Sequence, residues 1–566
     1  MRVNLLLSVF PRYSLCLCGK FCGQKAYRRD GEGAGKNFKK QGSILQGALK
    51  SICGFLLLGA LLAGCSSTQQ VASTPPQATV VSSAGTPAVE TDQQLSKRLD
   101  DLLKRSEFTT ARWGISVLSL ATGKLIYQHD GDRLFTPASN MKLYTTAVAL
   151  DLLGADYRWR TSVYADSEPD QNGTVNGDLV LYGRGAPDFL STTTRDNKNS
   201  LDEIVNQLKQ RGIKQVRGDV IGDESYFRGD PIGQGWQWND LQWYFGAEAS
   251  ALTINGNSTD ISITSATKAG DQPVITVNDS DNYLQVTNDM KTVASGSKLK
   301  IGVHKGLTDN SVRVWGEFPL GGRGYGVNLS VHRPSHWAAR LLLTKLKAAG
   351  ISVSGTARWR DSRQAGDERF DPQGKKEFAL VTGKSLGEIA RITNKLSVNL
   401  YAELILRTLG RERRALLPVP DPPGREFGDD EVGCGIVRQW LTRNGIEATA
   451  LALHDGSGLS RLNLVTPIST TGLLNAISHT GAASVFLDSL PISNKDGTLG
   501  GRLASLPERV QAKTGTLTYD HSLSGYLTTA SGQKLTFSVI CNDSTSSANA
   551  NRLIDLIVTS IADPAK

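Results

Sequence analysis

Apolar positions at Leu143, Ala147, Leu150 and Leu153 recur with helical spacing behind Ser139 and stop at Gly154. Upstream, Leu95 to Leu103 predicts a short amphipathic helix, and "WGISVLSLATGKLIYQHDGD" predicts two strands around the turn Ala121-Thr122-Gly123. Helical period returns at Ser385–Ile392, Leu400–Leu409, Glu431–Asn444 and Thr470–Ser478. The chain closes with alternating runs, "ERVQAKTGTL", "LSGYLTTA" and "KLTFSVICN", followed by a helix from Ala548 to Ile561. From about 155 to 370 the pattern changes to Thr/Val/Asn/Asp/Gly-rich strands such as "GDLVLYG" and "LKIGVHKG", with one helix, Trp337–Ala349. That stretch predicts one or two β-rich inserted domains.

The N-terminal pattern is of another kind. "KSICGFLLLGALLAGCSST" places a lysine before a short apolar run that ends in small residues, as signal peptides do. Leu62-Ala63-Gly64-Cys65 resembles a bacterial lipobox, which implies a lipid on Cys65 and, with Ser66 behind it, sorting to the outer membrane. Residues 66–90 are Ser/Thr/Pro/Gln-rich and read as a flexible tether. The expected organisation is a leader at 1–64, of which 1–44 is read as a misassigned start, and a tether at 65–92. A main domain split into 93–154 and 373–566 then flanks the insert at 155–372.

Charge changes the picture only by being local. The formal charge is +9, but residues 1–50 alone contribute ten Lys/Arg against two acidic residues, and 51–64 carry none. The body from Cys65 on is therefore about +1, which removes nucleic acid as an expected partner. Of seven cysteines only Cys434 and Cys541 lie beyond Cys65; a disulfide and two buried thiols are both open. The seven histidines show no metal-ligand spacing, since Pro334 separates His332 from His336, and no metal is expected.

Three short motifs carry candidate chemistry. Ser139 and Lys142 lie on one face of the first predicted helix, so the amine can reach the hydroxyl. The competing reading makes Ser139 a helix cap and Lys142 a surface lysine. Ser265–Lys268, Ser295–Lys298 and Ser297–Lys300 share the spacing but sit in strand-like stretches. The second motif is Ser397 and Asn399, leading into a helix; Ser280-Asp281-Asn282 is set aside because nothing helical adjoins it. The third is Lys513-Thr514-Gly515, which occurs once, on a strand-like run. There the glycine is expected to let a substrate backbone approach, while Lys513 and Thr514 hold a carboxylate.

In this order the motifs resemble those of the class C low-molecular-mass penicillin-binding proteins, serine-type D-alanyl-D-alanine carboxypeptidase/endopeptidases. "LVLYGRGAPDF", "GWQWNDLQWYFGAEASALTINGN", "HDGSGLSRLNLVTP" and "DGTLGGRL" add to the likeness, which spans roughly 95–560. The resemblance implies an α/β (α+β) penicillin-recognising serine hydrolase fold, an antiparallel sheet flanked by helices. Its β-rich domains are inserted between the first and second motifs. It implies that Ser139 attacks the penultimate D-Ala carbonyl of peptidoglycan stem peptides, with Lys142 as base, its pKa lowered by burial and a nearby Lys513 cation. Ser397 would relay the proton, Asn399 would hold the substrate amide and Lys142, and the N–H groups of Ser139 and Thr516 would form the oxyanion hole. β-Lactams would trap Ser139, in the periplasm, without a cofactor.

Asp240 resembles the acidic residue that contacts the amine of the stem diamino acid; Phe245 stands where relatives carry a tyrosine. Trp236, Trp238 and Trp243 suggest either a sugar platform or core packing. Two other functions remain open: a β-lactamase or esterase with the same residues, and a non-catalytic peptidoglycan-binding lipoprotein.

Overall fold

A computed structural model describes residues 92–190, 199–279, 281–361, 363 and 368–563. The leader, Cys65, the tether and Ser280 lie outside these residues. The sheet that carries the third motif has five antiparallel strands, in spatial order Val510–Leu517, Asp520–Thr528, Lys534–Asn542, Arg112–Ser119 and Leu125–His129. The C-terminal strands thus pair with the N-terminal hairpin, and the register sets Lys513, Ser524, Ser538 and Ser116 in one row. One face packs on the helices Asp92–Leu103 and Ser547–Ala562 through Leu95, Leu99, Leu553, Ile554 and Ile557. The helix Pro467–Ile477 covers the other face.

Behind that cover runs the helix Met141–Leu153, whose residues from Met141 to Leu150 are all buried. A helix without a polar face must be enclosed. It is enclosed by the helices Leu386–Leu396, Asn399–Glu412 and Pro467–Ile477. Both motif helices therefore meet in the interior, next to the sheet.

Residues after Gly154 build a second five-stranded sheet, ordered Ala357–Arg360, Val220–Asp223, Leu179–Tyr182, Arg158–Ala165 and Lys376–Ser385, and three smaller sheets. Val220–Asp223 runs parallel to both its neighbours. Parallel neighbours need long crossovers, and the helices Ser200–Gln210 and Pro334–Ala348 lie in them. The first of these helices was not expected from the β-rich composition. Its signals are present nonetheless: Asn199 accepts from the Leu201 N–H as a cap, and Leu201, Ile204, Val205 and Leu208 form the buried stripe. The strand Lys376–Ser385 pairs antiparallel with Arg158–Ala165, so a boundary at 372/373 cuts between this strand and its sheet.

Candidate active site

Ser139 sits in the 3-10 turn Ala138–Asn140 that opens the helix Met141–Leu153. No side chain caps this helix, and Lys142 is fully buried, so the reading of a capping serine beside a surface lysine fails on both counts. The turn is held from several sides. Asn140 Nδ2 donates to the Lys513 carbonyl at 3.4 Å and to Ser524 Oγ at 3.3 Å, and Ser522 Oγ donates to the Pro137 carbonyl at 2.7 Å. Ala138 itself has a positive φ of 49°.

Two glycines make room for this turn. A Cβ on Gly515 would lie 2.1 Å from Ser522 Oγ and 2.7 Å from the Pro137 carbonyl oxygen. The space beside Gly515 thus admits the serine turn, where a substrate backbone was expected. Gly458, at φ +81°, would place a Cβ 1.8 Å from the Ala138 carbonyl oxygen, so neither a side chain nor an ordinary backbone fits there.

Lys142 Nζ lies 3.0 Å from Ser139 Oγ, 2.7 Å from Asn399 Oδ1 and 2.6 Å from the Ser457 carbonyl oxygen. Burial brings its pKa down to about 7, against the opposing pull of Asp455 and Glu403. Lys513 is held well below the ordinary lysine value by burial and by the neighbouring Lys142.

Lys513 is fully buried and donates to Ser397 Oγ at 2.9 Å and to the Thr514 carbonyl at 2.8 Å. Ser397 ends the helix Leu386–Leu396 in a left-handed conformation, φ 60° and ψ 39°. A non-glycine residue pays about 1–2 kcal/mol for that backbone, and here the bend turns the hydroxyl onto Lys513. Asn399 then opens the next helix. Its Oδ1 accepts from Lys142, and its amide nitrogen donates to the Phe245 carbonyl at 2.9 Å. Thr514 Oγ1 donates to Thr498 Oγ1 at 2.8 Å, and Thr516 is exposed near the strand's end.

Asp240 is half-buried in a turn, and burial raises its carboxyl above the usual range despite the attraction of Arg461. Arg461 donates to the Thr518 carbonyl at 3.3 Å, which brings this charge to the end of the Lys-Thr-Gly strand. The tryptophans divide: Trp236 Nε1 donates to Asp455 at 3.0 Å, Trp243 packs on the core, and Trp238 is exposed. Among the described residues Cys434 and Cys541 are both free and buried. The motifs did not announce Ser457, Phe245 or Thr498. The first two act through backbone carbonyls, which carry no residue signature.

Known proteins resemble this chain over most of its length. The family described as D-Ala-D-Ala carboxypeptidase 3 (S13) matches residues 95–562. A D-alanyl-D-alanine carboxypeptidase of an Actinomadura species is 30% identical, over 79% of this chain and 81% of its own. The D-alanyl-D-alanine carboxypeptidase DacB of Haemophilus influenzae is 26% identical over 75% of this chain and 84% of its own. The crystal structure of penicillin-binding protein 4 (dacB) from Haemophilus influenzae superimposes with a TM-score of 0.70 at 24% identity, covering 82% of this chain and 99% of that one. The penicillin-recognising serine hydrolase fold is therefore present, and the chain belongs to the D-Ala-D-Ala carboxypeptidase 3 (S13) family.

Proposed function

We propose that this serine-type D-alanyl-D-alanine carboxypeptidase acylates Ser139, with Lys142 as its general base, on peptidoglycan stem peptides. The observation that carries the reading is the set of three contacts at Lys142 Nζ. A neutral amine has two hydrogens and one lone pair. Asn399 Oδ1 and the Ser457 carbonyl oxygen can only accept, so they take both hydrogens and leave the lone pair for the Ser139 hydroxyl. A pKa of about 7 keeps a large share of this amine neutral near neutrality.

In the first step Ser139 Oγ bonds to the carbonyl carbon of the penultimate D-Ala while its proton passes to Lys142. Backbone N–H groups of Ser139 and Thr516 face the developing oxyanion. The C–N bond then breaks, and the leaving amine takes a proton that Lys142 releases and Ser397 relays, with Lys513 holding the Ser397 hydroxyl in place. Water then attacks the ester, its proton again passing to Lys142 and on to Ser139 Oγ. A β-lactam follows the first step without losing a leaving group and stays attached. Lys513 and Thr514 receive the terminal carboxylate, and Asp240 faces the diamino-acid amine in competition with Arg461. Among the described residues no helix is long and apolar enough to cross a membrane; Cys65 supplies attachment through its lipid, on the periplasmic side of the outer membrane.

The test is release of D-Ala from a stem pentapeptide and cleavage of a cross-linked dimer, each with wild type and Ser139→Ala. Wild type should turn over at least one substrate and the variant neither. Equal turnover by the variant removes Ser139 from the mechanism, and turnover of penicillin in place of both peptides favours the β-lactamase reading.

A further inference from the structure

We infer that Glu403, which none of the motifs includes, is a positioning residue for Lys142, acting through the Ser457 carbonyl. The inference rests on Lys142 being the base, as proposed above. Glu403 lies one turn after Asn399 on the helix Asn399–Glu412 and is completely buried. Its Oε1 accepts two consecutive backbone N–H groups, from Gly456 at 3.0 Å and Ser457 at 2.8 Å. Those two bonds fix the peptide planes that lead into Ser457. The next plane carries the Ser457 carbonyl and the Gly458 N–H, and Asp455 Oδ1 accepts that N–H at 2.8 Å. Because the C=O and N–H of one trans peptide point in opposite directions, drawing the N–H toward Asp455 turns the carbonyl the other way, onto Lys142 Nζ at 2.6 Å.

One helix thus controls both acceptors of the base. Asn399 supplies the first directly, and Glu403, four residues on, sets the second. A misdirected Ser457 carbonyl frees an N–H of Lys142 to rotate, and the lone pair leaves the line to Ser139. The carboxyl serves as an acceptor and need not be charged: burial lifts its pKa to about 8, and its Oε2 has no hydrogen-bond partner among the described residues. An amide can therefore replace it, whereas an apolar side chain of similar size cannot.

The experiment compares Glu403→Gln, Glu403→Leu and Glu403→Asp with wild type, resolving the acylation rate constant by benzylpenicillin from the affinity of the preceding non-covalent complex. The Gln variant should acylate at close to the wild-type rate. The Leu variant should lose about a hundredfold in the acylation rate constant with its non-covalent affinity unchanged. Should the Leu variant not fold, Asp decides, because it withdraws the oxygen by one methylene; it should show the same rate loss with affinity retained. Wild-type acylation by folded Leu or Asp variants overturns the inference, as does a Gln variant as slow as they are. A wild-type protein that forms no adduct would instead overturn the role of Ser139 and Lys142, which is a separate failure.

Discussion

The two faces of the motif-bearing sheet use the same strands, are equally buried and have opposite chemistry. On one face Trp113, Ile115, Val117, Leu523, Phe537 and Val539 pack against Leu553, Ile554 and Ile557 of the C-terminal helix. On the other, Ser116, Ser522, Ser524, Thr536, Ser538 and Lys513 are all fully buried. Their hydroxyls are paired: Ser524 Oγ donates to Ser538 Oγ at 2.9 Å, Ser116 and Thr471 share a bond of 2.8 Å, and Ser522 holds Pro137. Apolar burial is non-directional and supplies stability. Paired hydroxyls add little net stability but fix where a group points. The face that must place Ser139 within reach of Lys142 is the one built from directional bonds.

Substitutions on the two faces should separate along this line. Lys142→Ala should lower the penicillin acylation rate by about 10²–10⁴-fold, read by mass spectrometry on protein whose circular dichroism is unchanged; a wild-type rate removes it as the base. Phe537→Ala should cost about 3–5 kcal/mol of unfolding free energy in urea, while the folded fraction acylates at the wild-type rate constant. Slowed acylation in that variant would show that the faces are not independent.

Acylation should also fall about tenfold per pH unit below a midpoint near 7 and level off above it, because protonated Lys142 has no lone pair. A flat profile contradicts a neutral base. Ser524→Ala should cost only about 1–3 kcal/mol, but with slowed acylation, since it removes a partner of Asn140 in the serine turn.

The apolar face has a buried polar intruder. His521 is buried with neither ring nitrogen partnered among the described residues, and burial lowers its pKa to about 4 from 6.5. Between those values the unfolded chain binds a proton that the folded chain refuses, so this residue costs stability as pH falls from 6.5 through about 4. His521→Leu should flatten the acid side of the melting-temperature profile; an unchanged slope would assign the acid sensitivity elsewhere.

Much of the site was legible in the sequence because its residues repeat with the period of their element. Ser139 and Lys142 are three apart where a 3-10 turn runs into a helix, and Ser397 and Asn399 flank a helix start. What stayed hidden depended on partners distant in sequence. Gly515 reads as a place for substrate until the turn at Pro137 is set against it, and Gly458 reads as a loop glycine until Ala138 faces it. The Ser457 and Phe245 carbonyls could not be found from residue identity at all. "LSGYLTTA" alternates as a half-exposed strand does, yet Ser524 is as buried as Leu523, because the helix Pro467–Ile477 covers the polar side. The helix Ser200–Gln210 was lost in a polar, glycine-rich neighbourhood despite its cap and stripe.

The central claim is that Ser139 is a nucleophile activated by a neutral Lys142, and intact-mass spectrometry of the protein incubated with benzylpenicillin tests it most directly. A single adduct carrying the whole mass of the drug is expected, located on the peptide that contains Ser139 and absent from Ser139→Ala. No adduct on folded wild type, or an adduct that persists in Ser139→Ala, would contradict it.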